Sequence, residues 1–318
     1  MNRRELLRNT ALGVSTAVPL VALGTLGLSV RAARGAAVPG TAAAEAEAEA
    51  EFSPLRPPAQ GSIPVAFLIS NGAVVIDFCG PWEVFEDVRV RGRAEAAFHP
   101  YTVAQTRAPV SASGGMQIVP NFTFETAPAP KILVIPAQDE PSEAALNWIR
   151  HATQSTDVTM SVCTGAFVLA KTGLLRGKAA TTHHNAYTEL AMRYPDIQVR
   201  RGARFVEAGN LASSGGLSSG IDLALRVVAR YFGREVAAQT ADHMEYQSQG
   251  WTDPNANVAY RRRAVSSAAQ PLCPVCDMDV DPQSAPKSVY HGQSYYFCMP
   301  AHKDAFDAAP ENYLRPLI

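Results

Sequence analysis

The chain has 318 residues, 47% of them hydrophobic, enough for one larger domain with a buried core and a small second one. A formal net charge of -1 gives no electrostatic reason to expect nucleic acid as a partner, and no separate basic segment offers a DNA-binding helix pair. Five cysteines are an odd number, so disulfides within a monomer cannot satisfy them all.

Arg3-Arg4-Glu5-Leu6-Leu7-Arg8 places a twin arginine ahead of a mildly apolar run over residues 11–30. Small residues at 33–37 suit a signal peptidase. The pattern predicts a twin-arginine signal over residues 1–37, recognised by the twin-arginine export machinery, and a periplasmic or secreted protein. The apolar run is nearly long enough to span a bilayer, so an uncleaved anchor stays open beside cleavage. Residues 38–61, Ala and Glu in alternation and then Pro54, Pro57 and Pro58, read as a disordered linker.

Folded structure is expected from Ser62. Residues 63–69 read as a buried strand, and Pro81 suits the first turn of a helix carrying Trp82, Phe85 and Val88 at helical spacing. Asp77 falls just before that helix, as an N-cap or as a carboxylate at the carboxyl edge of a sheet. Strands follow at 99–105, 117–120 and 131–136, then a helix at 142–152. Residues 158–162 are apolar without polar alternation, as in a strand buried on both faces. Gly165 and Ala166 then open a helical run, so Cys163 sits at a strand-to-helix turn, where backbone N–H groups and the helix dipole favour thiolate.

Further strands are expected at 179–182, 197–200, 204–208 and 211–213, with helices at 221–232 and 235–246. His183 and His184 are adjacent on a helical start and point apart, so they read as structural or pocket-edge residues. Ser213-Ser214-Gly215-Gly216 is a tight turn before a helix, able to cradle a ligand but without a dinucleotide or P-loop fingerprint. The alternation of strands and helices predicts an α/β fold: a doubly wound, mostly parallel sheet in an αβα sandwich. Ligands bind such sheets at the carboxyl ends of the strands, where Cys163 is expected.

Three separated motifs carry a resemblance. Asp77-Phe78-Cys79-Gly80-Pro81-Trp82-Glu83-Val84-Phe85, Ser161-Val162-Cys163-Thr164-Gly165-Ala166-Phe167 and Ser214-Gly215-Gly216-Leu217-Ser218-Ser219-Gly220-Ile221-Asp222 together resemble the ThiJ/PfpI superfamily over residues 62–251. Peptidases and deglycases of that superfamily carry His after the nucleophile; Thr164 stands there instead, as in the isonitrile hydratase branch. The resemblance implies Cys163 as nucleophile, Asp77 as acid/base and Thr164 as hydrogen-bonding partner, with no cofactor needed at this site. Gly80, Ala137, Gln138, Gly165, Gly215 and Gly216 are expected to line the substrate site. Ala137-Gln138 departs from the glycines more usual in the superfamily, and Cys79 stands where a smaller or hydroxyl residue is usual. The implied substrate is a small molecule, and pairing as a homodimer is common in the superfamily.

After a polar linker at 252–271 with the run Arg261-Arg262-Arg263, residues 272–318 form a second unit. Cys273-Pro274-Val275-Cys276 is a Cys-x2-Cys knuckle, and His302 lies one helical turn after Cys298. These four residues suit one metal ion, zinc best and copper(I) next, and a segment this short needs such support. The other reading is a Cys273–Cys276 disulfide. Together with Tyr295-Tyr296-Phe297-Cys298 and Pro310-Glu311-Asn312-Tyr313, the spacing resembles the YHS domain, a small metal-stabilised α+β module. His302 replaces its usual last cysteine and nudges the site towards zinc; Met278 and His291 read as structural.

Two functions follow. One is an exported cysteine enzyme hydrating isonitriles to N-substituted formamides, with a metal module attached. The other is a non-catalytic metal-sensing or metal-trafficking protein that uses the larger domain as a ligand-binding scaffold.

Overall fold

The computed structural model describes residues 53–261, 266–267, 271–276 and 278–314. The expected signal over residues 1–37, and the Ala/Glu part of the expected linker, lie outside the described residues. No described helix is long and apolar enough to cross a membrane. The Pro-rich end of the linker is already docked on the fold. Leu55 N–H donates to Arg230 O at 2.7 Å, Arg230 Nε donates to Ser53 O at 2.9 Å, and the Leu55 side chain packs against the core. Packing therefore begins before Ser62, and prolines that restrict the unfolded chain make that docking cheap.

The larger domain runs β1 (Ile63–Leu68), α1 (Val75–Asp87), β2 (Phe98–Ala104), β3 (Val110–Ser111), β4 (Gln117–Ile118), β5 (Phe122–Thr123), β6 (Ile132–Ile135), α2 (Glu143–Thr153), β7 (Val158–Ser161), α3 (Gly165–Lys171), β8 (Ala179–Ala180), α4 (Tyr187–Arg193), β9 (Gln198–Val199), β10 (Phe205–Ala208), β11 (Leu211–Ser214), α5 (Ser219–Phe232) and α6 (Arg234–His243). Seven strands form one sheet in the order β10-β11-β7-β6-β1-β2-β5. All neighbours are parallel except β10 and β11, which form an antiparallel edge. The expected strand at 117–120 is not in this sheet: Gln117–Ile118 pairs antiparallel with Val110–Ser111 in a separate hairpin.

The central strands are buried on both faces, as their unbroken apolar runs require. Ile63, Val65 and Phe67 of β1 face one core layer with α1, α5 and α6, while Ala66 and Leu68 face the other with α2 and α3. Ile132 and Val134 against Leu133 and Ile135 divide β6 in the same way. Strand β7 lies between β6 and β11, so the turn after it opens between two strand ends.

Helix α1 begins earlier than its sequence suggests. The β-branched Val74-Val75-Ile76 favours extended backbone, yet the helix starts there because partners outside it satisfy its first donors. Val74 N–H donates to Ala137 O at 2.8 Å and Val75 N–H to Ser113 Oγ at 3.1 Å. Asp77 thus lies inside the first turn rather than before the helix, and Pro81 lies in the helix interior rather than at its start.

The small domain consists of the knuckle at 273–276, the hairpin β12 (Lys287–Tyr290) and β13 (Gln293–Tyr296), and helices α7 (Pro300–Ala308) and α8 (Glu311–Leu314). Its core is six buried residues, Cys273, Val275, Cys276, Phe297, Phe306 and Tyr313.

Candidate active site and metal centre

Four hydrogen bonds fix the turn after β7. Val162 N–H donates to Ile135 O at 3.0 Å, Cys163 N–H to Gly215 O at 3.0 Å, Gly165 N–H to Val162 O at 2.9 Å, and the Thr182 hydroxyl to Cys163 O at 2.9 Å. Cys163 is held at φ 57°, left-handed backbone that a residue with a Cβ adopts at a cost of about 1 kcal/mol or more. A strained residue on a sharp strand-to-helix turn has the backbone geometry of a nucleophile elbow.

Asp77 reaches this turn from α1. Its side chain is fully buried; Oδ2 accepts from Ala137 N–H at 3.1 Å, and Oδ1 is buried with no hydrogen-bond partner among the described groups. Burial raises the carboxyl to about pKa 7, against the lowering effects of the Ala137 N–H and the Cys163 thiol. Cys163 moves the same way. Burial first, then the charge of Asp77, push its thiol up to about 11, opposed by the N–H groups of Thr164 and Leu217 and the Thr164 hydroxyl. The expectation of a resting thiolate is corrected: beside a carboxylate and 7% exposed, the sulfur keeps its proton. Each group thus bears on the protonation of the other.

The other expected substrate-site residues are placed as follows. A Cβ on Gly165 would penetrate the carbonyl oxygens of Ile135 and Pro136, so this glycine lets the elbow pack on the end of β6. Gly80 abuts Ile221 where α1 meets α5, and Gly216 lies under the His183 ring. Gly215 accepts from Cys163 and donates to Arg204 O at 2.9 Å. These four glycines are placed for close packing. Ala137 orients Asp77 through its N–H. Gln138 accepts from Ser70 Oγ at 2.7 Å, while its buried Nε2 has no partner among the described groups. Gln138 and Thr164 line a cavity of about 200 Å³, together with Phe167, Glu189, Arg193 and Tyr194.

One contribution was not legible beforehand. Leu217 supplies a backbone donor to the sulfur from φ 48°, a placement that its side chain does not signal. His183, expected at the pocket edge, lies against Gly216, and its Nδ1 accepts from Asn185 N–H at 3.3 Å; it does not point away from His184 as expected, since the two rings are 4.3 Å apart and His184 stacks on Tyr260 at 4.7 Å. Burial and His184 lower the pKa of His183, which favours its neutral form.

In the small domain Cys273, Cys276, Cys298 and His302 converge, their ligand atoms all within 4.8 Å of one another. Cys276 Sγ is 3.5 Å from Cys298 Sγ, and His302 Nδ1 is 3.2 Å from Cys298 Sγ and 3.6 Å from Cys273 Sγ. All five cysteines of the chain are free thiols here, so the Cys273–Cys276 disulfide is absent. The neighbouring Cys276 thiol draws Cys273 far down into the thiolate range, and Cys273, then Glu189, push His302 up to about 10. Three soft sulfurs and one imidazole, with Cys273 and Cys276 buried and Cys298 and His302 half-buried, fit zinc or copper(I). Met278 and His291 are exposed and outside the cluster.

The DJ-1/PfpI family model matches residues 64–230, and the YHS domain model matches residues 273–316. Isonitrile hydratase of Pseudomonas putida is 33% identical over 193 residues, 58% of this chain and 79% of that protein. The HTH-type transcriptional regulator CdhR of Pseudomonas aeruginosa is 29% identical over 181 residues, 55% of this chain and 53% of the regulator, so the chain spans about half of that protein. Among solved structures, a ThiJ/PfpI family protein from Pseudomonas syringae aligns with a TM-score of 0.53 at 26% identity, covering 60% of this chain and 77% of that one. Drosophila melanogaster DJ-1beta aligns with a TM-score of 0.51 at 17% identity, over 59% of this chain and all of that one, a likeness of fold.

Proposed function

The chain belongs to the DJ-1/PfpI family and carries a YHS domain, and from that premise we propose that it is an exported, cysteine-dependent hydratase acting on isonitriles. The observation that carries this reading is the buried pairing of Cys163 with Asp77 at a strained elbow. The similarity to isonitrile hydratase supports the choice of substrate.

The paired groups suggest a complete proton path. The Asp77 carboxylate takes the thiol proton as Cys163 Sγ attacks the terminal isonitrile carbon, then delivers it to that carbon. A thioimidate results, with new C–S and C–H bonds. Water adds its oxygen to the same carbon and a proton to nitrogen. The C–S bond then breaks, the hydroxyl proton returns to sulfur, and an N-substituted formamide leaves. One isonitrile and one water are consumed, with no change of electron count. The Thr164 and Leu217 N–H groups stabilise charge on sulfur during attack, and the unpartnered Gln138 Nε2 is a donor for substrate.

Cys273, Cys276, Cys298 and His302 would hold a metal ion in the YHS domain, and the bound ion would stabilise that domain. The twin arginine at 3–4 directs export through the twin-arginine route, which carries folded and metal-loaded protein. Cell fractionation tests this part: Arg3→Lys with Arg4→Lys retains the protein in the cytoplasm, and unaltered export of that variant contradicts it.

The test of the activity is formamide formation from an alkyl isonitrile by the purified protein and by Cys163→Ala. Loss of product in the variant supports the hydratase; equal rates refute it. The second reading, a metal-sensing or metal-trafficking protein with a non-catalytic scaffold, is favoured by one observation, the Cys/His cluster carried on the same chain. It expects no turnover with either protein and full metal binding by both.

A further inference from the structure

The two domains meet at α4. Met192 packs against the core of the small domain. Three positions earlier on the same helix, and so on the same face, Glu189 Oε2 lies 3.6 Å from His302 Nε2. The imidazole is thus used at both ends: Nδ1 faces the sulfurs of Cys298 and Cys273, and Nε2 faces a carboxylate of the other domain. Only Arg193 Nη1, at 3.3 Å, competes for that carboxylate by direct hydrogen bond among the described groups, from a more exposed position. Metal-binding histidines are commonly oriented by such a carboxylate, which fixes the tautomer and strengthens the ligand.

We propose that Glu189, in the larger domain, is the residue that positions His302 for metal, so that the affinity of the small domain is set partly from outside it. The inference rests on the metal-binding reading above. It has a structural consequence, because Glu189 also lines the cavity beside Thr164. Metal binding then fixes α4, which is one wall of that cavity.

The experiment is a Zn²⁺ titration of the full chain against a chromophoric chelator, with the visible spectrum of the Co²⁺-loaded protein as a second readout. Far-UV circular dichroism checks that each variant is folded. Glu189→Ala weakens Zn²⁺ about tenfold to a hundredfold and shifts the Co²⁺ bands, whereas Glu189→Gln, which keeps an acceptor oxygen, loses less. Arg193→Ala, which removes the other partner of Glu189, stays within about twofold of wild type. Amide hydrogen exchange over residues 187–193 slows on Zn²⁺ addition in the wild type but not in Glu189→Ala. Equal affinity and spectra in wild type and Glu189→Ala overturn this inference alone, as does an equal loss in Arg193→Ala. A wild-type chain that binds no Zn²⁺ or Co²⁺ overturns the metal reading together with it.

Discussion

Cys163 and Cys273 are both buried cysteines at tight turns, yet their surroundings hold the proton oppositely. Around Cys163 the nearest charge is the Asp77 carboxylate, and burial and that charge both favour the neutral thiol. Around Cys273 the neighbours are a thiol and an imidazole, which stabilise the anion more than burial penalises it. The difference teaches that burial alone does not decide the chemistry of a cysteine; the donors and charges set against it do. The two regions also differ in what holds them together. The larger domain buries two apolar layers about a seven-stranded sheet, whereas the small one encloses a handful of side chains around its Cys/His cluster.

The sharpest way to break this comparison is to strip the metal. Chelation is expected to unfold residues 272–314 while the larger domain keeps its own transition, since structural zinc supplies about 10 kcal/mol or more to such a module. Calorimetry with and without chelator checks it; a small domain unaffected by metal removal would falsify the contrast. Next in size, Cys163→Ala and Asp77→Asn should each lower formamide formation by about a hundredfold or more, in steady-state assays at neutral pH. Gly165→Ala follows, with a loss of about 3 kcal/mol in urea unfolding, because the added methyl meets backbone carbonyls that cannot move aside.

The smallest effect is a pH slope. The folded-state pKa of Asp77, about 7, lies above the 3.8 of an unperturbed aspartate, so the native state binds more protons between these values. A raised carboxyl destabilises the fold above its unfolded pKa. Stability should therefore rise by about 2 kcal/mol as pH falls from 8 to 5 through this group. Asp77→Asn should flatten that slope and be the more stable protein at pH 8. A slope unchanged by the substitution would place the proton elsewhere.

Much of this was legible in the chain itself. Apolar runs without alternation marked β1, β6 and β7, because strands covered on both faces need no polar side. The Cys-x2-Cys knuckle and the Cys298–His302 spacing marked the four side chains that converge, because a short segment with little core must bring such groups close in sequence. Local order also put Cys163 at a turn between strand and helix.

What tertiary structure alone decided depends on partners distant in sequence. Asp77 lies 60 positions from the Ala137 N–H that orients it, and its early helix start is permitted by donors' partners at Ala137 and Ser113. The protonated state of Cys163 follows from burial and from a carboxylate on another helix, and the helix start that pointed to thiolate is outweighed. Glu189 reads as one more surface acid on a short helix until the fold sets His302 against it. Sequence spacing encodes neighbours within a turn or two; charge, desolvation and contact between elements arise only when the sheet brings them together.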